Sequence, residues 1–416
     1  MSIPAKLNVA LAKEIESWAK ESIISDEQAK VLLARYPAKH GGAHAITLVT
    51  IIGAVLVGLG TLLYIGANWT GMATIWKLII IATAIVASHV AGWIFKFEPG
   101  NRPKLGTAFL LLGSLFYGGA IWLIAQIFNV DVQFPNGLLL WLIGTAACAL
   151  TTRSVPLGIL ASVILSLWTM QDLSNWSHYS SSDSIQRIIG IVAGLGAAWF
   201  MRSQAMAWII LLASSAWVAF ESGCYAPGLL FWGIALFGGY LAIRNKDLPL
   251  ESPLKYVGAC SALAALLAVT CNRMNWGEIN QTHYAATLGA ALIIHGLLLY
   301  TRKDVRREIL GCLAIIACFI LVQNNYNETV RAIAFNAMLL ASIFALAATA
   351  LQKLHSPGLL NTALAFVVFD IICRYFDIFF SMMDRSMFFI LGGILLMVGG
   401  ALAEKGRRQL LGSMES

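Results

Sequence analysis

Charge is what this sequence has least of. Asp, Glu, Lys and Arg make up 12% of its 416 residues, hydrophobic side chains make up 59%, and the mean hydropathy is +0.76. One water-soluble core cannot bury that much apolar surface, so the composition excludes a soluble globular fold and predicts a polytopic membrane protein. Catalytic signatures are also missing. There is no GxxxxGK[ST] phosphate loop, no HExxH, no GxSxG elbow and no polar stretch long enough for a soluble catalytic domain. These absences argue against an enzyme, and no cofactor is expected. Cysteine is sparse, with seven residues and no CxxC or Cys/His spacing, so no metal or redox centre is expected. Cys148, Cys260, Cys312, Cys318 and Cys373 fall in apolar runs and read as small buried side chains. Cys224 and Cys271 fall at the expected outer membrane edge, where an oxidising compartment would permit a disulfide. The net charge of +7 comes from residues scattered through short links, which gives no broad basic patch for nucleic acid.

What is present is a succession of apolar runs. Segments able to cross a hydrocarbon layer of about 30 Å occur near 46–66, 75–95, 105–126, 136–152, 154–171, 188–201, 205–220, 228–243, 255–271, 284–301, 308–323, 331–351, 359–380 and 386–403. The expected fold is therefore all-α, with about fourteen transmembrane helices filling residues 45–404. The tight pairs around Arg153 and Arg202 can also be read as single long helices. No cleavable leader is expected, because the first apolar run begins near Ala45, and the first span should remain as an anchor.

Charge tests this layout independently of hydropathy. With the N-terminus inside, the inner segments hold 22 of the 28 basic residues. Only Lys77, Arg187, Arg273, Arg331, Arg374 and Arg385 are left for the outer links and the spans. An even number of spans with both termini cytoplasmic follows, the last being a basic tail over 405–416. The first forty residues read as a cytoplasmic helical hairpin. Leu7, Leu11, Ile15 and Trp18 form one apolar stripe. "SDEQ", Ser25 to Gln28, is a capping box that opens a second helix through Tyr36, stopped by Pro37. A docking or oligomerisation element for a protein partner and a helix lying on the membrane surface both fit residues 1–40.

The hairpin "IESWAKESIISDEQAKVLLARYP" is followed by "IIGAVLVGLGTLLYIGANWTGM", then by "FYGGAIWLIAQIFNVDVQFPNGLLLWLIG", with "RYFDIFFSMMDRSMFFILGGILLMVGGALAEKGRR" near the end. Together these segments resemble the bacterial membrane-protein family catalogued as domain of unknown function 2157, most specifically over residues 5–160. The resemblance implies a bacterial inner-membrane protein. It implies no reaction and carries no catalytic residues.

Two constellations stand out within the spans. In "FVVFDIICRYFDIFFSMMDR", Asp370, Arg374 and Asp377 share one helical face, and Asp370 lies about 16 Å along its helix, near mid-membrane. Arg374 can pair with either carboxylate. A compensated ion pair that fixes helix packing and a water-lined site for a proton or cation are both open readings. His295, and likewise His89, places an imidazole in an apolar span, as a proton relay would require, although one hydrogen bond to the backbone explains either ring as well. The second constellation gathers Asn68, Gln126, Asn129 and Asp131 at the outer ends of the first and third spans, beside Gly58, Gly60, Gly66, Gly113, Gly118 and Gly119. Such small-residue faces form packing seams, while the amides and carboxylate could also hold a headgroup or sugar. Trp69 and Trp122 read as interfacial belt residues.

The leading functional expectation is a secondary transporter or flippase-like protein for a small polar or lipid-linked substrate in the bilayer. The competing expectation is a non-catalytic scaffold or assembly factor acting through its N-terminal hairpin. An intramembrane transferase is a third class, disfavoured because the first outer loop, "ANWTGMAT", has no carboxylate.

Overall fold

The computed structural model describes residues 14–15, 17–19, 21, 23–35, 69, 71–98, 102–129, 134–170, 181–221, 225–244, 246–270, 281–323, 327–354, 356–379 and scattered positions from 391 to 409. The described residues are helical and contain no strand, so the fold is all-α and polytopic. The chain separates into two compact units, Met1–Ile80 and Ile81–Ser416.

In the first unit, α1 (Asp26–Arg35) begins where the capping box places it. Gln28 N–H donates to Ser25 Oγ at 3.3 Å, and Ser25 N–H donates to Gln28 Oε1 at 3.1 Å, so two otherwise orphaned donors are satisfied reciprocally. The stripe residues Leu7 and Leu11 lie outside the described residues.

The second unit takes in most of α2 (Thr74–Phe97) and then α3 (Pro103–Phe128), α4 (Phe134–Thr152), α5 (Val155–Met170), α6 (Ser181–Phe200), α7 (Gln204–Glu221), α8 (Tyr225–Ile243), α9 (Glu251–Thr270), α10 (Gln281–Thr301), α11 (Arg306–Gln323), α12 (Glu328–Thr349) and α13 (Pro357–Phe379). Each coincides with one expected span. The first span (46–66) and most of the last (386–403) lie outside the described residues. Seven helices, α2, α3, α8, α9, α10, α12 and α13, are long and apolar enough to cross a bilayer. The helices α4 to α7 contain shorter apolar stretches. At 1.5 Å per residue, a 16-residue helix such as α5 reaches about 24 Å, which requires its polar ends to snorkel or the bilayer to thin locally.

The ambiguous pairs are two separate hairpins, cut by the same device. Arg153 and Arg202 have φ of 47° and 49°. Ser154 N–H bonds Ala149 O at 3.1 Å and Arg153 N–H bonds Leu150 O at 3.4 Å; Ser203 N–H bonds Ala198 O at 2.9 Å and Arg202 N–H bonds Trp199 O at 3.1 Å. Both turns are Schellman motifs with arginine where glycine is usual. The steric penalty of about 1–2 kcal/mol for a left-handed L-residue is partly offset by a cation at the negative helix end. The Arg153 guanidinium also sits over the Phe200 ring, 5.5 Å from its centroid, so the two turns meet at one end of the bundle. Leu250 packs against the cluster of Ala198, Met206 and Ala207, which brings the α8–α9 link to that end as well.

The largest core lies between α8, α9, α10, α11, α12 and α13, around the edge-on and tilted rings of Phe231, Tyr284, Phe319 and Phe335. At its heart α8 and α9 touch backbone to backbone. A Cβ on Gly233 would lie 2.5 Å from Ala262 N and 2.8 Å from Gly258 O, and a Cβ on Gly258 would lie 2.6 Å from Phe237 N. Only glycine permits this approach, which brings Cα–H groups onto facing carbonyls. Large apolar side chains on the outer faces, such as Val86, Ile293, Leu297 and Phe344, are more than half exposed and form a lipid-facing surface.

Candidate functional site: the intramembrane cations

The charged stripe on α13 resolves into a bridge between helices. Arg374 Nε donates to Asp370 Oδ1 at 3.3 Å, the i, i+4 pairing that the spacing allows. Its Nη1 donates at 3.0 Å to the carbonyl of Thr270, the last residue of α9. Helix ends leave carbonyls without an intrahelical donor and carry partial negative charge. The guanidinium fork therefore reads one carboxylate on its own helix and one dipole end on a neighbour. Asp370 is 14% exposed and Arg374 28%, so both charges are largely desolvated and each is matched. Asp377 lies on the same helix, with its side chain outside the described residues.

The same device recurs at the other end of the bundle. Lys96 Nζ donates at 2.8 Å to the carbonyl of Thr152, the last residue of α4. Arg302 Nη1 donates at 3.1 Å to Ala242 O in the last turn of α8. Arg302 also grips Asp304 with two bonds, Nε to Oδ1 at 3.0 Å and Nη2 to Oδ2 at 3.1 Å. The hydrogen bonds from Arg302 hold the Asp304 carboxyl below the usual carboxylate range, and the same bonds push the guanidinium up. Lys255 completes this end, stacked over the rings of Tyr256 and Tyr240 with its ammonium 3.4 Å from Ser356 Oγ.

His295 is fully buried and makes no hydrogen bond or ion pair with Asp370 or Arg374. Its Nδ1 lies 2.8 Å from Ala291 O. A carbonyl only accepts, so this contact assigns the proton to Nδ1. Nε2 is buried without a hydrogen-bond partner, and the ring fills a notch in α8, where a Cβ on Gly238 would stand 2.6 Å from Cε1. His89 repeats the arrangement on α2, with Nδ1 2.9 Å from Ile85 O and its ring against Gly113 of α3.

In the outer cluster, Asn129 occupies the left-handed position that ends α3, with φ of 48° and its N–H closing on Ala125 O and Gln126 O. Asparagine tolerates this conformation, so the residue has a local backbone role. Gln126 is exposed one turn earlier, while Asn68 and Asp131 lie outside the described residues. Trp122 packs edge-on against Trp141 of α4, with ring centroids 5.8 Å apart. Among the described residues, no group of three or more His, Cys, Asp or Glu side chains is placed to hold a metal.

The α2–α4 region, with its Gly92–Leu110 and Gly118–Trp141 contacts, falls inside a recognised segment. Residues 16–158 match the family "Predicted membrane protein (DUF2157)". Comparison with the curated proteins and with the solved structures finds no match. The protein is thus a multi-pass helical membrane protein, with a lipid bilayer as its surroundings, and its similarity to that family covers residues 16–158.

Proposed function

We propose that the protein is a non-catalytic membrane scaffold or assembly factor of the bacterial inner membrane, with both termini cytoplasmic and the N-terminal hairpin as its contact element. The observation that carries this reading is the use made of Arg374: its fork is engaged by Asp370 and by the Thr270 carbonyl, as an interhelical staple requires. Lys96 and Arg302 serve helix ends in the same way. The hairpin offers apolar side chains to a partner, since Ile23 and Val31 are 64% and 68% exposed.

Transport of a small polar or lipid-linked substrate is the second reading. It is favoured by one specific observation, the unpartnered Nε2 of the fully buried His295, because a proton relay needs such an acceptor. Two experiments separate the readings. Photo-crosslinkers at positions 23 and 31 in living cells are expected to trap one discrete protein adduct that a crosslinker at Lys30, about a quarter-turn away from Val31 on α1, does not trap. In proteoliposomes, a pH-sensitive dye is expected to report the same proton permeability for wild type, Asp370→Asn and His295→Gln. Proton movement that depends on Asp370 or His295 would overturn the scaffold reading in favour of transport.

A further inference from the structure

Among the described residues, the non-glycine positions with left-handed backbone are Asn129, Asp247, Arg153 and Arg202. Asparagine and aspartate tolerate that conformation, whereas arginine bears a steric penalty that the helix dipole offsets only in part. The helix ends do not call for the two guanidinium groups. The carbonyls of Ala149 and Leu150, like those of Ala198 and Trp199, are closed by main-chain N–H groups. Lys96, Arg302 and Arg374 each donate to a carbonyl near a helix end. Arg153 and Arg202 are used differently, with both side chains exposed at the α4–α5 and α6–α7 turns. Cations kept in a strained backbone conformation direct attention to what they face.

Their surroundings have the chemistry of a headgroup seat. The Arg153 guanidinium lies over the Phe200 ring, 5.5 Å from its centroid, which supports its face and leaves its N–H edge open. Phe200 and Trp199 are 57% and 56% exposed, so they belong to the lipid-facing surface. One turn deeper on the same face of α6, Gly196 has open space where a side chain would stand, and Val192 follows beyond it. An apolar notch on α6 therefore leads to the two arginines. The charge around them is one-sided. Lys96 ties α2 to Thr152, the residue before Arg153, and a Cβ on Gly106 would lie 2.6 Å from Lys96 N, so the α2–α3 link belongs to this end too. These three links supply Lys96, Arg102, Lys104, Arg153 and Arg202 against a single acid, Glu98. At the α8–α9 and α10–α11 links, by contrast, Asp247, Glu251, Asp304 and Glu308 accompany the cations. The shortness of α5, 16 residues, also draws the headgroup layer toward Arg153.

We propose that Arg153 and Arg202 bind the phosphodiester headgroup of an anionic phospholipid, with an acyl chain lying along α6 at Phe200 and Gly196. A phosphate accepts the parallel N–H bonds that a guanidinium fork offers, and a headgroup of net negative charge matches the local positive excess. A zwitterionic lipid presents the same phosphate together with its own cation, which that excess repels. The site uses neither the N-terminal hairpin nor His295, so it stands whether the protein is a scaffold or a transporter. Native mass spectrometry of the full chain in neutral detergent, with phosphatidylglycerol or phosphatidylcholine added, tests it. Wild type is expected to retain phosphatidylglycerol several-fold more tightly than phosphatidylcholine. Arg153→Gly/Arg202→Gly is expected to lower the phosphatidylglycerol affinity by about fivefold per arginine removed, and glycine suits both turns, so the fold is kept. Arg306→Gln/Arg307→Gln removes the same charge from exposed positions at the α10–α11 link and should leave that affinity nearly unchanged. A second measurement uses wild type alone. In phosphatidylcholine bilayers, phosphatidylglycerol carrying a diazirine on its acyl chain is expected to label residues 192–200 several-fold more than diazirine phosphatidylcholine does. Equal affinity for the two lipids, an equal loss in the two double variants, or equal labelling of 192–200 overturns the proposal.

Discussion

Replacing Arg374 by leucine removes one cation and strands both Asp370 and the Thr270 carbonyl, which makes the change the most informative single substitution in the molecule. Asp370, 14% exposed, would keep a carboxylate with no counter-charge, and the Thr270 carbonyl would lose its 3.0 Å donor. Breaking a buried pair from one side costs about 3–5 kcal/mol. The partial exposure of Arg374, 28%, places the expected loss toward the lower end of that range. Asp370→Asn should cost only about 0.5–1.5 kcal/mol, because its amide oxygen can still accept from Arg374 Nε and the bond to Thr270 is untouched. The double variant Asp370→Leu/Arg374→Leu removes this pair of charges together, so no Asp370 carboxylate is stranded, while the loss of the Thr270 donor, about 1–3 kcal/mol, remains. It should therefore be more stable than Arg374→Leu alone. Unfolding in mixed micelles with a rising fraction of anionic detergent, followed by tryptophan fluorescence, measures all three. A double variant less stable than Arg374→Leu, or an Asp370→Asn variant as damaged as Arg374→Leu, would refute the staple.

Gly238→Ala should destabilise by about 1–3 kcal/mol through overpacking against the His295 ring, and the second change His295→Ala should recover most of that loss in the same unfolding assay. The Asp304 carboxyl titrates lower in the folded protein than in the unfolded chain. Its contribution is therefore present above the unfolded value of about 4 and is lost as pH falls through the folded one. Because Asp304 is 56% exposed, the loss should be under about 1 kcal/mol, shrink with salt and vanish in Asp304→Asn, as pH-dependent unfolding would show. In cysteine-labelling of intact cells, His178→Cys is expected to react with a membrane-impermeant reagent and Asp304→Cys only after permeabilisation, and the reverse pattern would invert the orientation.

Much of the helical layout was legible because apolar runs and Pro or Ser boundaries are local signals. Pro103 and Pro357 open α3 and α13, and the Ser25–Gln28 box opens α1. The breaks at Arg153 and Arg202 stayed ambiguous, since an arginine in the left-handed region sends no glycine-like signal. The same limit applies to the charged stripe. The Asp370–Arg374 spacing is visible in the sequence, whereas the Thr270 carbonyl, 104 residues away, is a group that every residue possesses. Asn129 drew attention as a polar side chain, and its conformation explains it as a helix stop.

The glycine contact between α8 and α9 limits how this membrane domain can move. With main chain against main chain at Gly233 and Gly258, no layer of side chains remains there to repack, and sliding one helix along the other would drive carbonyls into amides. The two helices are therefore a single mechanical part, a keel about which the rest of the bundle is arranged. Any working stroke of the protein, whatever partner or solute sets it off, must be looked for in helices that shift around that keel.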